Sequence, residues 1–75
     1  MNDLANDHRE HTIFCHASGF SNGPFVASFS AWRIEPNNSY RAVTQGTLPS
    51  VFDTREAAFA AALAEAKLCI DKLLG

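Results

Sequence analysis

Only two cysteines, Cys15 and Cys69, occur in the 75 residues. Two are too few to define a disulfide scaffold. Basic residues are also sparse. The six Lys and Arg are Arg9, Arg33, Arg41, Arg55, Lys67 and Lys72, and against eight Asp and Glu they leave a net charge of -2. Duplex binding uses a concentrated basic patch, so scattered cations disfavour nucleic acid as a partner. No apolar run approaches the roughly 18 residues that a membrane span needs. Residues 1 to 10 lack the basic start and apolar stretch of a signal peptide. A cytoplasmic location with reduced thiols is the expectation that follows.

The composition is that of a folded chain: 47% hydrophobic and 19% charged, outside the range of intrinsically disordered segments. At this length one domain is expected, burying only about 60% of the surface of the unfolded chain. Such small domains commonly gain stability from a partner or from self-association.

Residues 1 to 10 are polar and aperiodic and read as a mobile tail. His11 to Ser18 are rich in β-branched and aromatic types and read as a first strand. The loop Gly19 to Pro24 carries the turn signal Asn22-Gly23. Residues 25 to 35 read as a second strand. Side chains alternate between faces along a strand. Phe25, Ala27, Phe29 and Ala31 then form the better core face, and Val26, Ser28, Ser30, Trp32 and Ile34 fall opposite. A bulge between Ser30 and Trp32 would bring Trp32 and Ile34 to the core side instead. Pro36 to Ser39 read as a tight turn, residues 40 to 45 as a third strand, and residues 50 to 52 as a further short extended piece.

From residue 54 to 74 the chain reads as one helix. Asp53, with Glu56 three residues on, fits a capping box, and Thr54 is the alternative cap. Phe59, Ala62, Leu63, Ala66, Ile70 and Leu73 share one side at 100° per residue and are expected on the sheet. The expected architecture is α+β. A three- to four-stranded antiparallel meander spans residues 11 to 75 with one C-terminal helix packed on one face.

No pattern of catalysis stands out. His8, His11, Cys15 and His16 are metal-ligating types, but a strand puts His11 and Cys15 roughly 13 Å apart and turns His16 the other way. Ordinary strand residues are the better reading. Cys15 and Cys69 lack a visible electropositive neighbourhood, and Cys69 at the rim of the helix stripe reads as a small hydrophobe. The acidic residues suit surface and helix cap. No catalytic residue, metal or cofactor is therefore assigned.

Two surfaces invite contact. Phe14, together with Trp32 if no bulge intervenes, falls among small polar residues on the non-core side of the sheet, as a recognition surface or tucked under the loops of a small sheet. Ala61, Ala64 and Leu68 lie on the back of the helix, which carries few charges. Alanine is also simply the best helix former, so Leu68 is the stronger sign of an interface. The leading expectation is a non-enzymatic protein-interaction module that forms a homodimer or binds another protein. The alternative is a nucleic-acid-binding module using Trp32, Tyr40, Arg33 and Arg41 for stacking and phosphate contact.

The order of strands before a Thr-started helix resembles several small bacterial α+β domains. Val43-Thr44-Gln45-Gly46, followed by Thr54-Arg55-Glu56-Ala57 and the alanine-rich helix, is similar over about residues 40 to 74 to HicB-type antitoxin domains. That family carries an Asp-Leu-Pro-Gly segment before its Thr-Gln-Gly, and it has a DNA-binding tail; neither is found here. The seven residues Thr47 to Asp53 also lengthen the connection. Toxin neutralisation is not carried over, and no residue takes a functional role from the family.

Overall fold

The computed structural model describes residues 3–19 and 23–75. Four strands precede one helix: β1 Asp3–His8, β2 His11–Gly19, β3 Phe25–Ile34, β4 Tyr40–Phe52 and α1 Arg55–Leu74. The strands form one antiparallel sheet in the order β1-β2-β3-β4, and α1 packs across one of its faces. The α+β meander expected from the sequence is the observed architecture.

The first difference lies at the N-terminus. Residues 3 to 8, expected within a tail, form the edge strand β1, which pairs with β2 from Asp3 opposite His16 to His8 opposite His11. The segment has no apolar alternation to announce it. Its pairing comes from β2, whose buried face fixes the register of its neighbour. The two-residue turn holds Arg9 at φ 50 and Glu10 at φ 66. Both central residues at positive φ is the signature of a type I′ hairpin turn, normally written Asn-Gly. Here no such signal is present.

The second difference lies in β4. Residues 40 to 45 and 50 to 52 are not separate strands but parts of one 13-residue edge strand. Two irregularities in its pairing with β3 fall around Pro49 and at Val43, while Gly46 stays in register opposite Phe29. Val26 lies opposite Val51, but Ser28 lies opposite Thr47, so β4 bulges through the segment containing Pro49. Proline has no N–H to give to a ladder and is tolerated at an edge or bulge. The second bulge falls where Ala31 opposes Thr44 and Trp32 opposes Ala42, leaving Val43 as the extra residue. The inserted residue is thus on β4. β3 keeps its alternation, and Trp32 stays off the core side.

The core is built from small side chains. Ile13, Cys15 and Ala17 of β2, and Phe25, Ala27, Phe29 and Ala31 of β3, face Ala58, Ala62, Ala66 and Ile70 of α1. The helix seam is therefore a run of four residues at a spacing of four, three of them alanine. Phe59, Leu63 and Cys69 flank it half-buried. Alanine opposite alanine lets the helix axis approach the sheet, while the larger side chains straddle the contact. Leu73, expected on this stripe, is 61% exposed. The last helical turn is met instead by polar side chains of the β1–β2 hairpin.

Thr54 is the N-cap: its hydroxyl accepts from the Ala57 N–H at 3.1 Å. Asp53 is not the cap, so the expected Asp53–Glu56 box does not form. Glu56 instead lies in the first turn, where its charge suits the helix dipole. Arg55 places its guanidinium 5.2 Å from the centre of the Phe25 ring and covers that end of the core. The β3–β4 turn follows the asparagine chemistry expected of it. Asn38 takes φ 65, and Asn37 Oδ1 accepts from the Ser39 N–H at 3.2 Å and its hydroxyl at 2.6 Å. The turn signal Asn22-Gly23 has its Asn22 outside the described residues.

Candidate functional site

One helix covers one face of the sheet, and the other face stays bare. The register names its residues. Thr12, Phe14, His16 and Ser18 of β2 lie beside Val26, Ser28, Ser30, Trp32 and Ile34 of β3. Next to these stand Tyr40, Ala42, Gln45, Thr47 and Val51 of β4. Across these three strands no Asp, Glu, Lys or Arg shares the open face. The edge strand β1 adds Ala5 and Asp7, and Asp7 accepts a hydrogen bond from the Thr12 hydroxyl at 3.2 Å.

The face is uneven along its length. At one end Phe14, Trp32 and Tyr40 gather around an apolar recess. Phe14 is 36% and Tyr40 58% exposed, and Ile34 extends the patch. The Trp32 indole N–H donates to the Ser30 hydroxyl at 3.1 Å, which fixes the ring along the strand. Beside this cluster lies a shallow depression of about 600 Å³ lined by His16, Ser28, Ser30, Trp32, Gln45 and Thr47. Its floor is Phe29 and Gly46. A Cβ on Gly46 would stand 3.3 Å from two atoms of the Phe29 ring, so glycine lets that ring lie against the β4 backbone.

The proposed contact residues fall on separate surfaces. Phe14 and Trp32 lie on the open sheet face. Leu68, 55% exposed, and exposed Ala64 with half-buried Ala61 lie on the outer side of the helix, across the thickness of the fold. They cannot form one continuous interface. The nucleic-acid set is divided as well. Arg33 opposes Arg41 in the ladder, one position out of phase with Trp32–Ala42 and Ile34–Tyr40. Directly opposed residues share a face, so both arginines project from the side opposite Trp32 and Tyr40. Arg41 is moreover paired with Glu35 at 3.0 Å.

His8, His11 and Cys15 serve the fold. His8 and His11 oppose each other on the helix side of the hairpin. The buried His11 donates from Nδ1 to the Arg9 carbonyl at 2.8 Å and so holds the strained turn. His8 Nε2 donates to Asp71 Oδ1 at 2.9 Å, and Arg9 Nη1 donates to the same oxygen at 3.1 Å. These two hydrogen bonds, His8 first, hold the Asp71 carboxyl below its ordinary range. Nothing in the sequence marks this clasp, since its partners lie 63 and 62 residues apart. Among the described residues no three His, Cys, Asp or Glu gather where they could hold one ion. Cys15 is buried, and burial pushes its thiol up, away from the reactive thiolate.

Among the described residues no helix is long and apolar enough to cross a membrane. Comparison of the chain with protein-family models, with curated proteins and with solved structures finds no match.

Proposed function

We propose that this chain is a non-enzymatic interaction module that self-associates through the open face of its sheet. The observation that carries the proposal is the uncharged character of that face over β2, β3 and β4, with an aromatic cluster at one end. A two-fold pairing brings each surface against its own copy. On a charged face that would oppose like charges; over β2, β3 and β4 no such repulsion arises. Aromatic residues combined with missing charge are also what distinguishes the centre of an interface from ordinary surface.

Size supports the same conclusion. The radius of gyration is 12.7 Å, above the about 11 Å of a compact 75-residue fold. The accessible surface is 4969 Å², against roughly 4,500 Å² for a typical folded monomer of 8.2 kDa. Both excesses fit a two-layer slab with one layer uncovered.

Trp32 is the only tryptophan and lies on this face, so it reports directly on coverage. On serial dilution, light scattering should record a fall from dimer to monomer mass. Trp32 emission should shift to the red over the same concentrations. A monomer mass at every concentration, with unchanging emission, refutes the proposal.

A further inference from the structure

We infer that the recess between Phe14, Trp32 and Tyr40 is a binding site for the head group of a small quaternary ammonium compound. The site is complete in a single copy, so it goes beyond self-association and does not depend on it. Strand pairing sets the three rings in a diagonal row. Phe14 opposes Ser30 and Tyr40 opposes Ile34, so one ring stands on either side of Trp32. Each is a diagonal neighbour of the indole, at the roughly 7–8 Å that aromatic side chains can bridge across a sheet. Together they line a recess of about 320 Å³. Ligand pockets run from about 300 to 1,000 Å³, so this one suits a small guest.

The lining selects the chemistry of that guest. Among the described residues it presents aromatic rings and no ion. The face of an aromatic ring is the negative side of its quadrupole and attracts a cation within about 6 Å. The Trp32 N–H already donates to the Ser30 hydroxyl, so the ring is what the indole has left to offer. No Arg or Lys of β2, β3 or β4 competes for these rings. Arg33 and Arg41 project from the other side of the sheet, and Arg41 is paired with Glu35. The Asp7 carboxylate shares the open face and lies in the row of Trp32, beyond Thr12. Two strand spacings put it about 10 Å from the indole strand, close enough to favour a cation over an anion. A primary ammonium carries three N–H donors and is strongly hydrated, and a recess lined by rings has no carboxylate to replace that water. A quaternary ammonium has no N–H to satisfy, and its methyl groups pack directly on the rings.

The test titrates the full chain, below its dimerisation range, with tetramethylammonium chloride and with choline chloride. Sodium chloride holds the ionic strength constant, and the emission of Trp32, the only tryptophan, is the readout. Both salts should give a saturable change. The carbon analogue of choline, with a quaternary carbon in place of nitrogen, has the same shape without the charge. It should bind at least about tenfold more weakly, as cation–π contact with more than one ring predicts. Tyr40→Leu and Phe14→Leu each keep an apolar side chain but lose a ring, and each should weaken tetramethylammonium binding about threefold or more. Tyr40→Phe keeps the ring and should bind like wild type. Circular dichroism checks that each variant keeps the wild-type spectrum, and either ring deletion serves should the other lose its fold. No saturable change with either ammonium salt overturns the inference. Equal binding of the neutral analogue overturns it too, because it would mark a site for apolar groups in general. So does wild-type affinity in a folded ring deletion. Each of these results is read on the monomer and leaves self-association standing, and a chain that never dimerises leaves this site standing.

Discussion

The two faces of the sheet differ in what their small residues do. On the helix side, Ala27, Ala31, Ala58, Ala62 and Ala66 are small because a helix must come close, and none is exposed. On the open side, Ser28, Ser30 and Thr47 are small and polar, and the space above them is left empty. The same alternation along β3 supplies Ala27 and Ala31 to the first set and Ser28 and Ser30 to the second. Smallness serves close packing on one face and leaves a shallow depression on the other. The comparison teaches that side-chain size has meaning only once the covering layer is known.

Substitutions that treat the two faces alike should separate them. Ile70→Ala empties a fully buried position in the helix seam and is expected to cost about 2–5 kcal/mol in denaturant unfolding. Phe14→Ala on the open face should cost the monomer only about 1 kcal/mol at concentrations below dimerisation, through lost strand propensity and cross-strand contact. Equal losses at the two sites would erase the distinction. Ala62→Leu adds volume where helix and sheet touch, and an overpacked core is expected to lose about 1–3 kcal/mol. Ser28→Leu adds similar volume above the bare face and should leave the unfolding midpoint of the monomer nearly unchanged.

Smaller effects test how the helix is held against its face. Thr54→Ala removes the hydroxyl that accepts from Ala57 and should cost about 1 kcal/mol, read as a lower thermal midpoint. The weakest effect should be that of the clasp on Asp71, because the group is half exposed. Its folded-state carboxyl is held low by His8 and then Arg9. The stabilisation it contributes is therefore present above the ordinary carboxylate range and is lost as pH falls through the depressed folded value. Asp71→Asn should flatten that acid limb of the stability profile and leave the open face unaffected. A profile identical to wild type below pH 4 would show that the clasp carries no linkage.

Much of the fold was legible locally. The strand at 25 to 34 alternates cleanly, Thr54 followed by an alanine-rich amphipathic run marks the helix, and Asn37-Asn38 marks its turn. Strand β1 was not legible, because Asp3 to His8 have neither β-branched side chains nor alternation and are ordered by a neighbour. The seam of the helix was displaced from expectation for a related reason. Periodicity identifies an apolar side, but alanines and leucines on that side are ranked only by what faces them. Of the candidate contact residues, alternation offered Phe14 to the open face, while Trp32 stayed open to either side until the bulge was located on β4. Leu68, Ala61 and Ala64 lie on the outer side of the helix, a surface separate from Phe14 and Trp32, as expected of the back of the helix.

What the sequence alone determined is the strand character of residues 11 to 18 and 25 to 34, the Asn37-Asn38 turn, the helix after Thr54 and the absence of charge among the open-face residues of the inner strands. These depend on side chains two or four positions apart, and short-range sterics and hydrogen bonding decide them. Only the tertiary structure decided where the bulge falls, and with it the face that carries Trp32. A one-residue insertion flips every side chain beyond it, and whether β3 or β4 absorbs the extra residue depends on pairing across the sheet. Val43 on β4 takes the insertion, β3 runs straight, and the aromatic cluster assembles on the side that no helix covers.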